Sequence, residues 1–163
     1  MRIVRRPFIC SGANTLVESG TLEGSVLFPV YYEDTDLSGF VYHANYLKFF
    51  ERAREHVIGV RFLKELYDLG AHFVVHKASM EFKSPAKHSD QLLVETKGGY
   101  SRSPAIHFEQ NAYVLENGQK RAVVLGQISI VVIGSENKPI RMPDAIMKKF
   151  AEHKTQHLDL SGY

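Results

Sequence analysis

Apolar residues recur at two different periods along this chain, and the switches between the periods mark out its elements. From Val26 to Tyr32 the run is rich in β-branched and aromatic residues, with Val26, Phe28 and Val30 on one face, which predicts a strand. Pro29 cannot donate to a ladder and so puts the outer part of that strand at an edge or a bulge. Past a polar, turn-rich stretch the period becomes helical. Tyr46, Phe49, Phe50, Ala53 and Val57 share one face, and Gly59 supplies the stop. A shorter helix is expected over Arg61 to Leu69, ending at Gly70.

The period then returns to two. Val74, His76, Ala78, Met80 and Phe82 alternate with Phe73, Val75, Lys77, Ser79, Glu81 and Lys83, until Ser84-Pro85 closes the strand. Leu92, Val94 and Thr96 begin another, which Gly98-Gly99 and Pro104 are expected to break before Ile106 to Val114. Asn117-Gly118 is a hairpin turn signal. The last long strand covers Lys120 to Ile133, with Arg121, Val123, Leu125, Gln127, Ser129 and Val131 opposite Ala122, Val124, Ile128, Ile130 and Val132. Pro143 to Lys154 reads as a terminal helix, proline being suited to a first turn. The order is strand, helix, then four strands joined mostly by tight turns. A ferredoxin-like alternation would need a second helix among the later strands, and none is visible. An antiparallel sheet wrapped around the helix from Tyr46 to Val57 explains the order, an α+β arrangement.

A chain of 163 residues builds one domain with a proper core. We expect an arm over 1–24, the domain over 25–154 and a tail over 155–163. Met1 to Glu23 holds no residue that the chemistry below requires. With 44% hydrophobic and 23% charged residues, the composition is that of an ordinary globular protein. The net charge of +2 is near balance and the cations are interleaved with acids, which excludes a nucleic-acid-binding stripe. The single cysteine, Cys10, rules out an internal disulfide framework and suits a reducing compartment. No apolar run approaches the roughly 20 residues needed to span a bilayer. Arg5-Arg6 is followed by the polar Ser11 to Thr15 and not by the apolar core of an export signal, so a cytoplasmic location is expected.

The stretch between the first strand and the helix concentrates the chemistry. Tyr32-Glu33-Asp34-Thr35-Asp36-Leu37-Ser38-Gly39-Phe40-Val41-Tyr42-His43 puts acids, a glycine turn, a histidine and aromatics where a helix start exposes its N–H groups. Asp34 to Gly39 copies the first half of an EF-hand loop, but position twelve falls on Asn45 and the lead-in is strand-like, so calcium is not expected. From local chemistry Asp36 is either a turn or helix cap or a catalytic carboxylate. Asp34 is read as a cap. His43 can act as a base, as a donor to a carbonyl or as a packing residue, and Tyr32 can orient Asp36 or simply sit half-buried. A nucleophile elbow of the G-x-S-x-G kind is absent, and His72, His76 and His107 have no metal-ligand company.

The string YYEDTDLSGFVYHANYLKFFERARE resembles the signature of the hotdog-fold acyl-CoA thioesterases, the YbgC and 4-hydroxybenzoyl-CoA thioesterase group, and the likeness runs from about Val26 to Phe150. It implies a hotdog fold, an antiparallel sheet around one long central helix. It further implies that Asp36 is the catalytic acid, that the backbone N–H at His43 polarises the thioester carbonyl, and that Tyr32 and the His43 imidazole flank the acid. Arg102 matches a basic position of YbgC relatives. Coenzyme A carries several phosphates, so Lys83, Lys87, His88 and Arg102 are candidates to bind it. The expected activity is hydrolysis of an acyl-CoA to a free acid and coenzyme A, without metal or organic cofactor, in a homodimer or homotetramer. The competing readings are an acyl-CoA-binding module without turnover and a dehydratase acting on a carrier-bound thioester.

Overall fold

The helix that starts at Asn45 is amphipathic in the way its sequence predicts. Tyr46, Phe49, Phe50, Ala53 and Val57 are buried along one side, with Asn45, Arg54 and Ile58 beside them, and Gly59, at a φ of +96°, ends it. In the computed structural model, which describes residues 19–152 and 156–160, this helix is α1 (Asn45–Ile58). It follows β1 (Ser19–Pro29) and a single 3-10 turn, Tyr32–Asp34, and precedes α2 (Val60–Asp68). After these come β2 (His72–Phe82), β3 (Gln91–Ser101), β4 (Ala105–Glu116), β5 (Gln119–Ile133), α3 (Asp144–Ala151) and β6 (Gln156–Asp159). The six strands form one sheet in the order β2-β5-β4-β3-β1-β6, antiparallel except for the β1 and β6 pair. The core lies between α1 and the inner face of the sheet: the rings of Phe28 and Phe49 meet at 5.5 Å, and Phe50 fills the space over Gly126.

Several boundaries differ from the expected ones, each for a tertiary reason. β1 begins at Ser19 and not at Val26, so 19–24 belong to the sheet and not to an arm; residues 1–18 of the expected arm lie outside the described residues. Their pairing with Thr96 to Ser101 and the complete burial of Leu22 override a weak strand propensity. Gln156–Asp159 of the expected tail adds the parallel edge strand. Gly98 does not break β3. It makes room for Phe108, whose Cε1 would stand 2.4 Å from a Cβ at that position. The terminal helix is Asp144–Ala151, with Pro143 just before it.

Two β-bulges overturn the expected unbroken alternation. His76 is the extra residue in β2, so the inward side passes from Phe73 and Val75 to Ala78, Met80 and Phe82. Val123 is the extra residue in β5, since Ala112 pairs with Val124 but Tyr113 with Ala122. Arg121 therefore lies opposite the buried Val114, on the inner face.

A polar cluster is sealed beneath α1. Arg54 Nη1 donates to Gln110 Oε1 at 2.6 Å, and Gln110 Nε2 donates to Phe50 O and to Thr96 Oγ1, each at 2.9 Å. Arg54 also pairs with Glu51. Burial pulls the guanidinium pKa down while Glu51 pulls it back up, and an arginine so placed keeps its charge. These bonds tie α1 to β3 and β4.

Candidate active site

The chain leaves β1 through Val30, bonded to Asp90 O, and turns at once. In the Tyr32–Asp34 turn the third residue points inward. Asp34 is buried, its Oδ2 accepts the Tyr31 N–H at 2.9 Å, and its carbonyl accepts Tyr42 N–H at 2.9 Å and Asn45 Nδ2 at 3.0 Å. Asp34 thus fastens the loop to the start of α1. Two residues on, a tight turn closes from Asp36 to Phe40, with Asp36 N–H on Phe40 O at 2.9 Å and Gly39 at a φ of +77°, a backbone region that suits glycine. Asp36 is exposed. Its Oδ1 accepts the Ser38 N–H at 2.8 Å and the Ser38 hydroxyl. These two donors hold the carboxyl below the ordinary carboxylate range, with a smaller contribution from His43, so Asp36 is ionised at neutral pH.

His43 sits two residues before α1, its ring tilted on Tyr42 at 4.4 Å between centroids. Among the described residues no acceptor takes up the His43 backbone N–H. Asp36, Ser38 and His43 form one side of a cavity of about 370 Å³. Phe40, Val41 and Phe82 give it apolar lining, and Tyr46, Lys83, Ser84 and Pro85 complete it. The Tyr46 phenol is buried, accepts the Ala86 N–H at 3.2 Å, and has its pKa pushed up by that burial. Asp36 and His43 thus line one cleft, where a carboxylate can attack a carbonyl and a helix-start N–H directed at it can hold the oxygen on which charge develops.

The fold brings together only some of the residues singled out in the sequence. Asp36, His43 and Lys83 line the cavity, and Lys87, which does not, has its ammonium 5.8 Å from the ring centre of Phe40, one of the lining residues. Tyr32 does not join them: it is 82% exposed and its ring meets His88 edge-on at 6.4 Å, because the turn that buries Asp34 turns Tyr32 outward. Arg102 is paired with Asp144 at 2.9 Å. It follows the end of β3 remote from Gln91, which pairs with Pro29 just before the Asp36 loop. Ten strand steps separate the two ends, about 33 Å of strand, so Arg102 does not serve the cavity of its own chain.

Two further residues that line the cavity, Ser38 and Tyr46, are not singled out by the sequence. The Asp-x-Ser spacing is a recognisable turn signal and points to Ser38. Tyr46 falls within the helix's apolar face, and its spacing gives no sign that its hydroxyl meets the cavity's neighbour Ala86.

The model of the Thioesterase-like superfamily matches residues 30–150. The acyl-CoA thioesterase YbgC of Haemophilus influenzae is 35% identical to this chain over 134 residues, 79% of this chain and 96% of the relative. A probable thioesterase from Bartonella henselae is 32% identical, with a TM-score of 0.60, and the likeness covers 75% of this chain and 99% of that one. The 1,4-dihydroxy-2-naphthoyl-CoA thioesterase of Synechocystis, at 23% identity, shares the fold with a TM-score of 0.70 over 83% of this chain and 100% of that one.

Proposed function

The chain belongs to the thioesterase-like superfamily and is a thioester hydrolase, and on that premise we propose that it cleaves acyl-CoA with Asp36 as the nucleophile and the His43 N–H as the oxyanion donor. The observation that carries this reading is the placement of the ionised Asp36 and the uncommitted His43 amide on one apolar-walled cavity. An Asp36 oxygen attacks the thioester carbon, the carbonyl oxygen takes the negative charge, and the N-terminus of α1 favours that charge through its partial positive end. The C–S bond then breaks, releasing the thiolate of coenzyme A, which takes a proton from water. A second water hydrolyses the resulting anhydride, freeing the acid and restoring Asp36.

The Ser38 donors keep Asp36 ionised, the state that either a nucleophile or a base requires. The nucleophilic route is preferred because it needs only a carboxylate beside a carbonyl that the His43 N–H holds. Lys83 and Lys87 supply positive charge near the mouth for the phosphates of coenzyme A. Tyr32 and Arg102, kept from this cavity in the single chain, would contribute only where a second copy completes the site. A homodimer or homotetramer is part of the proposal, and a cytoplasmic location goes with it.

The test compares Asp36→Asn with Asp34→Asn in a thiol-release assay over short, long and aromatic acyl-CoAs. The first variant should be inactive while folded. Asp34→Asn should keep much of its turnover and lose some stability, because it weakens one hydrogen bond of the loop. Equal loss of turnover in two folded variants would overturn the choice of Asp36. Background rates for wild type on every acyl-CoA would favour a binding module instead.

A further inference from the structure

One wall of the thioester cavity is held by a residue that does not line it. The connection from β2 to β3 passes through Lys83, Ser84, Pro85 and the fully buried Ala86. Arg121 Nη1 donates to Ser84 Oγ at 2.5 Å and to Pro85 O at 3.0 Å, while its Nε donates to Glu116 Oε1 at 2.8 Å. Ser84 Oγ in turn donates to Ala122 O at 2.6 Å, and Lys83 N–H to Val123 O at 2.8 Å. The segment therefore hangs from the bulged part of β5.

On its other side the same segment supports the catalytic loop. Ala86 O accepts the Val41 N–H at 2.8 Å, Ala86 N–H reaches the Tyr46 hydroxyl, and Lys87 bridges to Phe40. Val41 lies between Asp36 and His43 in the chain, and Tyr46 is in the first turn of α1. A path of hydrogen bonds thus runs from Glu116 through Arg121 to Ser84 and Pro85, passes along the backbone to Ala86, and continues by hydrogen bonds to the loop bearing both reacting groups. A guanidinium suits the branching point because its planar fork can bond several acceptors at once.

We propose that Arg121 is a positioning residue for thioester cleavage: it fixes the wall at Ser84 and Pro85, and through Ala86 sets the spacing of Asp36 and the His43 N–H. The role rests on the reading of Asp36 and His43 given above. Arg121 is not among the residues that line the cavity, so its loss should act through misalignment. Displacements of that kind, well short of a bond length, are expressed in kcat.

The experiment compares Arg121→Met and Arg121→Lys with wild type. Butyryl- and benzoyl-coenzyme A serve as substrates, and backbone amide exchange is followed in the same proteins. Arg121→Met should lower kcat per folded enzyme about 10-fold or more, and the amides of Val41 and Ala86 should exchange faster than those in the middle of β3 and β4. Arg121→Lys keeps a donor for Ser84 Oγ or Pro85 O and should recover part of both effects. An unchanged kcat with unchanged exchange at Val41 and Ala86 would overturn the proposal, as would acceleration spread evenly over the sheet, which marks a merely stabilising residue. Should wild type hydrolyse neither thioester, the functional reading fails on its own, and the exchange pattern at Val41 and Ala86 still decides whether Arg121 holds the loop.

Discussion

The buried cluster beneath α1 permits a quantitative test, because its members are few and their bonds can be counted. Gln110→Met removes the acceptor of Arg54 Nη1 and the donor to Thr96 Oγ1 and to Phe50 O, the last a carbonyl inside α1 that keeps its helix partner, with the side-chain partners sealed from water. Leaving a buried charged donor unmet costs about 2–3 kcal/mol, and the orphaned hydroxyl adds about 1, so the variant should lose roughly 3–4 kcal/mol. Arg54→Met leaves Gln110 Oε1 without its donor, while the half-exposed Glu51 can hydrate. That loss should be about 1–2 kcal/mol, offset in part by no longer burying a cation. The double variant has neither the orphaned cation nor the orphaned amide. Its loss should be about 2 kcal/mol, against about 4–6 kcal/mol for the two single losses together, which makes the two sites coupled by about 2–4 kcal/mol.

Urea unfolding of the four proteins, followed by circular dichroism at one fixed protein concentration, measures the cycle. Gln110→Met should also lower Tm by roughly 10 °C, taking about 3 °C per kcal/mol for a domain of this size. Losses that add to within about 0.5 kcal/mol would show that the bonds drawn between these side chains carry no mutual energy. A Gln110→Met loss below about 1 kcal/mol would show that water reaches the cluster.

Two further outcomes are expected. The acid limb of the kcat/KM profile reports Asp36 in the free enzyme, and with its pKa lowered chiefly by the Ser38 hydroxyl the limb should lie below the ordinary carboxylate range; Ser38→Ala should move it to higher pH, and a limb that stays put or moves down would contradict the assignment. β2 is an edge strand on which Val75 is 52% exposed, so a second copy pairing along it would bury apolar side chains and satisfy free backbone groups. Sedimentation at micromolar concentration should give a dimer or tetramer, Val75→Lys should shift it towards monomer, and a monomeric wild type would sink the oligomer proposal.

What the order of residues determined alone is the kind of element at each place and the position of the chemistry. Helical spacing from Tyr46 to Val57, glycines at 59 and 70 and alternation in the later strands follow from local geometry, which side chains obey wherever the chain goes. The loop from Tyr32 to His43 was marked out by its composition, and the likeness of that string to the hotdog thioesterases supplied the fold and the reaction. Alternation could not show that it is interrupted at His76 and Val123. A bulge is settled by the partner strand's register, and the register is a property of the assembled sheet. The same limit hid the strand from Ser19 to Gly24, whose residues are extended because Thr96 to Ser101 lie beside them. Which candidates share a cavity was likewise a tertiary decision. Asp36 and His43 meet because the turn at Gly39 brings them to one side of the cleft, Tyr32 is directed away by the turn that buries Asp34, and Arg102 is carried off by the length of β3. Arg121 shows the reverse case: a residue that sequence spacing groups with Leu125 and Gln127 is turned to the inner face by one inserted residue and bonded to Ser84.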